Sequence, residues 1–202
     1  MDISAQVGCS SAAEVLSLMF HFTGTHPSKR QLPSFSSLCC VLLILLMVPG
    51  ITAAANLKPG DEAPVWPPLA DMGGQLRSLE DHLGNDVVML DFWSIYCVSC
   101  IQEMPSLIAL YEKYKDNGLV VYGIDLDSFS PKRVERFIDG LSFQITYPVI
   151  IDRKREIATA FKVGMLPTTI IIGRDGKVKL FHIGYKPGDE DEFDHLLKSL
   201  LN

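Results

Sequence analysis

The chain has 202 residues, 48% of them apolar and 21% charged, which suits one globular domain plus an extension. Its net charge is −6 with no basic cluster, which argues against a nucleic-acid partner. Of the five cysteines only Cys97 and Cys100 lie beyond residue 55, so that part of one chain cannot build a four-cysteine zinc site.

In chain order, the first feature is the uncharged run Leu38–Val48 (LCCVLLILLMV), preceded by Lys29 and Arg30 and followed by Ala53-Ala54-Ala55. A basic flank, a short apolar core and a small-residue exit describe a secretory signal peptide. An uncleaved membrane anchor is the alternative, although a spanning helix needs about 20 apolar residues. The strictly apolar run here has 11. Residues 1–28 are unusual ahead of such a signal, and translation from Met19 would remove most of them. Residues 1–55 are therefore expected to form a leader, signal peptide or anchor. Residues 56–202 are expected to form one domain of 147 residues, able to bury about 68–70% of its unfolded surface without a structural metal.

Residues 56–68 carry five prolines or glycines and read as an extended lead-in. Ser78-Leu79-Glu80-Asp81 reads as a short capped helix, with Asp81 where a capping box has its acid. Val87–Trp93 (VVMLDFW) is a strand apolar on both faces, suited to the centre of a covered sheet. Ser99–Lys115 has helical spacing, with Met104, Leu107, Ile108 and Tyr111 on one stripe. Pro105 should kink it, and Gly118 ends it. Leu119–Leu126 is a second buried strand, and Ser130-Pro131 opens a helix reaching about Asp139. Tyr147–Ile151 is a short strand, and Asp152 caps a helix over 153–161. Thr168–Ile172, the Asp175-Gly176 turn and Lys177–Ile183 form a hairpin, and a last helix runs from Glu190 to Leu201. Strands alternating with helices predict an α/β layered fold, and the closing hairpin makes the sheet mixed.

The chemistry concentrates at Cys97-Val98-Ser99-Cys100, between a buried strand and a helix. A helix N-terminus carries about half a positive charge and unpaired N–H groups. A thiolate there is stabilised, so its pKa falls. Cys97 can then attack a disulfide and Cys100 can resolve the product. A static disulfide closing so short a loop would stabilise little. Half of a metal site would need further ligands, and His82, His182 and His195 are not in ligand spacing with the cysteines.

The stretch LDFWSIYCVSCIQEMPSL (90–107) resembles thioredoxin-fold proteins, most closely the exported TlpA/ResA-like branch. Gly164-Met165-Leu166-Pro167-Thr168-Thr169 resembles the second signature of that family, a cis-proline loop before a strand. The resemblance covers about 58–202 and implies a thioredoxin-like mixed central sheet flanked by helices. It also implies a helix-and-strand insert over 127–151. It makes Cys97 the attacking cysteine, Cys100 the resolving one and Pro167 the cis-proline facing them. Leu166 would offer backbone hydrogen bonds to a bound peptide, and Tyr96 would border the same substrate site. Asp91 matches the buried acid of ordinary thioredoxins, and Glu103 the acid typical of the ResA-like branch. Either, desolvated, would have a raised pKa and could accept the Cys100 proton. Pro105 matches the family's helix kink. Tyr96 replaces a usual tryptophan and Ser99 a common proline, and side chains at these positions tune thiolate stability and hence the reduction potential.

The resemblance implies a thiol-disulfide oxidoreductase with no cofactor, working in the periplasm or at the outer face of the cytoplasmic membrane. Its partners would be client proteins bearing thiols or disulfides, with apocytochrome c or copper-site cysteines as client classes, and an electron donor in the membrane. The family's exported members act mostly as reductants. A copper-binding chaperone using the two thiolates is an alternative. Related copper chaperones have a wider cysteine gap and a histidine, and metal analysis of the reduced protein separates the two. A thiol peroxidase is a third reading. Ser94 lies three residues before Cys97, but Leu90 stands where a peroxidase would have proline. Peroxide consumption discriminates it.

Overall fold

The structure is a computed structural model that describes residues 56–202. The expected leader, its cleavage and the start at Met19 lie outside the described residues. Among the described residues no helix is long and apolar enough to cross a membrane.

Seven strands and four α-helices follow the lead-in. They are β1 (Leu69–Ala70), β2 (Leu76–Arg77), β3 (Val87–Trp93), α1 (Val98–Tyr114), β4 (Leu119–Asp125), α2 (Pro131–Asp139), β5 (Val149–Ile151), α3 (Glu156–Ala160), β6 (Thr168–Ile172), β7 (Val178–Ile183) and α4 (Asp189–Leu201). The main sheet has the order β5-β4-β3-β6-β7. β4 runs parallel to β3 and to β5, whereas β6 is antiparallel to both β3 and β7. The sheet is mixed, as the element order predicts.

β3 is central and buried along its whole length. Successive side chains alternate between the two faces of a strand. Val88, Leu90 and Phe92 join a core with Trp66, Ile157 and Phe161. Val87 and Met89 join a second core with Leu107, Leu110, Phe193 and Leu197 of α1 and α4. By the same parity Asp91 and Trp93 face the α1 side. An apolar pattern lacking polar alternation is what a strand covered on both faces requires.

Several boundaries differ from expectation for identifiable reasons. The buried stripe of α1 is Cys100, Glu103, Met104, Leu107, Leu110 and Tyr114, so Ile108 and Tyr111 are only half-buried. Glu103 displaces the stripe, because α1 covers the acid end of β3. Pro105 lies inside α1 and leaves the Ile101 carbonyl without its helical donor, yet the helix runs on to Tyr114. The 78–81 segment yields only a 3₁₀ turn at Glu80–His82, although the Asp81 carboxylate does accept the Ser78 N–H at 3.2 Å. Asp152 caps α3 through the N–H groups of Glu156 and Ala158 at 2.7 and 2.9 Å, so the helix starts at Glu156 rather than 153. The small β1–β2 sheet was not legible. It depends on Asp71, whose carboxylate accepts from the Gln75 N–H and from Arg77 Nε.

Candidate active site

α1 begins at the C-terminal end of β3, across the turn Ser94–Cys97. Cys97 is the N-cap, with φ −91° and ψ 96°, and its Sγ accepts the Cys100 N–H at 3.2 Å. Cys97 and Cys100 form a disulfide with their Cα atoms 5.2 Å apart. The two sulfurs differ in access: Cys100 is 1% exposed, while Cys97 is half-buried at the surface. Ser99 Oγ lies 3.6 Å from Cys97 Sγ. The side chains on either side of Cys97 in the chain, Tyr96 (63%) and Val98 (72%), are exposed, as is Met165 (65%) in the loop before Pro167.

The peptide bond between Leu166 and Pro167 is cis. Leu166 packs against the cluster that holds Cys97, Cys100, Trp93 and Met104. Trp93 is fully buried in that cluster.

Beneath Cys100 the protein buries two carboxyls. Glu103 lies one helical turn on, at the i+3 position that shares a face with Cys100. Burial pushes its carboxyl up to about 7. The Thr169 hydroxyl, donating to Oε1 at 2.9 Å, opposes that rise, and Asp189 adds to it. Asp91 stands on β3 opposite Thr169 of β6 and Gly123 of β4. Burial raises it well above the usual carboxylate range, and the Glu103 charge raises it further. The Tyr147 hydroxyl donates to Asp91 Oδ2 at 3.4 Å. Asp91 Oδ1 and Glu103 Oε2 have no hydrogen-bond partner. The site therefore pairs an accessible sulfur with a dry sulfur, and buries two carboxyls of raised pKa on the α1 side of the sheet.

All the residues singled out from the sequence gather here: Cys97, Cys100, Glu103, Asp91, Tyr96, Leu166 and Pro167. Four others were not anticipated: Thr169, Tyr147, Asp125 and Asp127. Gly123 was the available signal. A glycine inside an apolar strand marks close approach of another group. A Cβ on Gly123 would lie 3.1 Å from Tyr147 Cε2 and 3.3 Å from Trp93 Nε1. The missing side chain is what lets Tyr147 reach Asp91. Asp125, level with Trp93 in the sheet, is fully buried with both oxygens unpartnered. Burial pushes its pKa up to about 8, with the neighbouring Asp127 raising it further.

Comparison with known proteins agrees with this arrangement. Residues 59–181 match the AhpC/TSA family. The thiol-disulfide oxidoreductase ResA of Geobacillus thermodenitrificans is 36% identical over 147 residues, covering 69% of this chain and 81% of that protein. ResA of Bacillus cereus is 34% identical over 145 residues, with 68% and 81% covered. Among solved structures, a protein described as the thiol:disulfide interchange protein DsbE of Chlorobium tepidum superposes with a TM-score of 0.66 at 30% identity. That superposition covers 72% of this chain and 99% of the other.

Proposed function

Because this chain belongs to the ResA-like thiol-disulfide oxidoreductases, within the AhpC/TSA family, we propose that it reduces disulfides in exported client proteins. Apocytochrome c is the client class that its relationship suggests. The observation that carries the reading is the unequal sulfur pair at the start of α1, with Glu103 buried one turn below.

In the reduced protein, the Cys97 thiolate attacks one sulfur of a client disulfide. The client S–S bond breaks, a mixed disulfide to Cys97 forms, and the departing client thiolate takes up a proton. Cys100 then gives its proton to the Glu103 carboxylate and attacks Cys97 Sγ. The mixed disulfide breaks, the second client sulfur leaves as a thiolate that takes up a proton, Glu103 releases the proton it accepted, and the Cys97–Cys100 disulfide of this structure results. The client gains two electrons and the enzyme loses them; a membrane electron donor returns the pair to the dithiol. A carboxyl near 7 suits that proton exchange, because a general base works best with a pKa near the operating pH. Asp91 stays neutral beside it and keeps a second charge out of the site. The cis-Pro167 loop and exposed Tyr96, Val98 and Met165 receive the client chain, with Leu166 offering its backbone.

Insulin reduction with a chemical electron donor tests the proposal. Cys97→Ser should abolish turnover, and Cys100→Ser should accumulate a mixed disulfide whose client can be identified. Full turnover by Cys97→Ser would refute it.

A further inference from the structure

Disulfide exchange uses the sulfurs, the acids beneath Cys100 and the loop at Pro167. It assigns no role to a set of contacts on the far side of Cys97. Asp127 follows β4 and is buried. Its Oδ2 accepts the Ile95 N–H at 2.8 Å, and its Oδ1 accepts the Ser94 hydroxyl at 2.9 Å. Ser94 Oγ in turn accepts the Tyr96 N–H at 3.3 Å, and the Ser94 carbonyl accepts the Cys97 N–H at 3.0 Å. The backbone donors of residues 95, 96 and 97 are thus all held by Asp127 and Ser94. Further out, the Phe129 ring meets Tyr96 edge-on, with centroids 5.9 Å apart. The Arg133 guanidinium lies 4.2 Å from the Phe129 centroid and 5.6 Å from that of Tyr96, and it donates to the Tyr96 hydroxyl.

We propose that the segment Asp127–Arg133 is a brace for the turn that carries Cys97, with Asp127 as a positioning residue that acts through Ser94 and Ile95. The inference rests on Cys97 being the attacking sulfur. The brace fixes the backbone at the N-cap, and that geometry aims the Cys100 N–H at Cys97 Sγ. In the reduced protein the same N–H stabilises the thiolate.

The charge on Asp127 works against a nearby thiolate, so its benefit is geometric and its electrostatic effect is a cost. The two contributions have opposite signs, and two substitutions separate them. Asp127→Ala removes both acceptors along with the charge. Asp127→Asn removes the charge, keeps one oxygen to accept the Ile95 N–H, and puts an NH2 group where it can donate to Ser94 Oγ, so both links of the brace survive with the Ser94 one reversed.

The test is the rate of iodoacetamide alkylation of the reduced full chain as a function of pH, read at the Cys97 peptide by mass spectrometry. This readout needs no client, so it remains valid if the client proposal fails. At a pH at least about one unit below the wild-type midpoint, Asp127→Ala should alkylate about tenfold more slowly than wild type, its midpoint having moved up about one pH unit. Asp127→Asn should match wild type or exceed it. Ser94→Ala, which deletes the hydroxyl's two links, to Asp127 and from the Tyr96 N–H, while removing only one oxygen atom, should slow alkylation about threefold and stands in for Asp127→Ala if that variant does not fold. A wild-type rate in Asp127→Ala or in Ser94→Ala, or a common shift of both Asp127 variants, would overturn the proposal.

Discussion

Glu103 and Thr169 are 66 residues apart in sequence, yet the Thr169 hydroxyl donates to Glu103 Oε1 at 2.9 Å in the buried space under the disulfide. Thr169 also stands opposite Asp91 across the β3–β6 ladder. One threonine therefore links the helix that carries the cysteines to the strand that carries the second acid. Its hydrogen bond stabilises the charged form of Glu103, opposing the burial that disfavours it.

Thr169→Val keeps the shape and removes that donor. The Glu103 pKa should rise above about 7, and the pH at which client reduction reaches half its maximum should move up with it. Losing the partner of a buried acceptor should also cost about 1–3 kcal/mol at a pH where Glu103 is charged. A pH–rate profile of insulin reduction checks the first effect, and urea unfolding at pH 8 checks the second.

Glu103→Gln should slow the resolving step rather than the attack. General acid–base groups contribute roughly 100-fold or more, so turnover should fall by about that factor. Alkylation of Cys97 should change by less than about threefold, because its thiolate is stabilised by the start of α1. Quenched-flow detection of the mixed disulfide should show it accumulating in the variant.

Stability should fall as the pH rises through neutrality. Unfolded, Glu103 titrates near its ordinary 4.5 and Asp125 near 3.8; folded, they titrate at about 7 and about 8. Both values are raised, so the fold favours the protonated acids. That stabilisation is complete below the ordinary values and is lost as the pH rises through the folded ones. The melting temperature of the oxidised protein should drop between about pH 5 and about pH 8, by about 2–4 °C for each kcal/mol lost. Asp125→Asn should flatten the upper part of that decline, as calorimetry across the pH range would show.

Gly123→Ala should destabilise by about 1–3 kcal/mol, the usual cost of forcing a methyl group into a packed core. The new Cβ would sit 3.1 Å from the Tyr147 ring. Tyr147 would have to retreat from Asp91, removing that acid's donor, and Asp91 would stay protonated to still higher pH. Denaturant titration measures the loss, and carboxyl NMR titration follows Asp91.

Much of the architecture was written locally. The apolar run Val87–Trp93, the β-branched Thr168–Ile172 and the Asp175-Gly176 turn declare a covered sheet closed by a hairpin, because burial and turn chemistry act over a few residues. The cysteine pair and the Leu166-Pro167-Thr168 loop were legible for the same reason, each being a short motif. Tertiary structure alone decided which acids share the space under Cys100. Local spacing on α1 suggested a stripe through Ile108 and Tyr111, and packing rotated it to bury Glu103 instead. Thr169, Tyr147 and Asp127 reach the site across strand register and loop packing, over separations of 66, 56 and 33 residues. Period and propensity say which face of an element is apolar. Which polar groups meet in the dry interior depends on how separate elements align, and desolvation there sets the protonation of each.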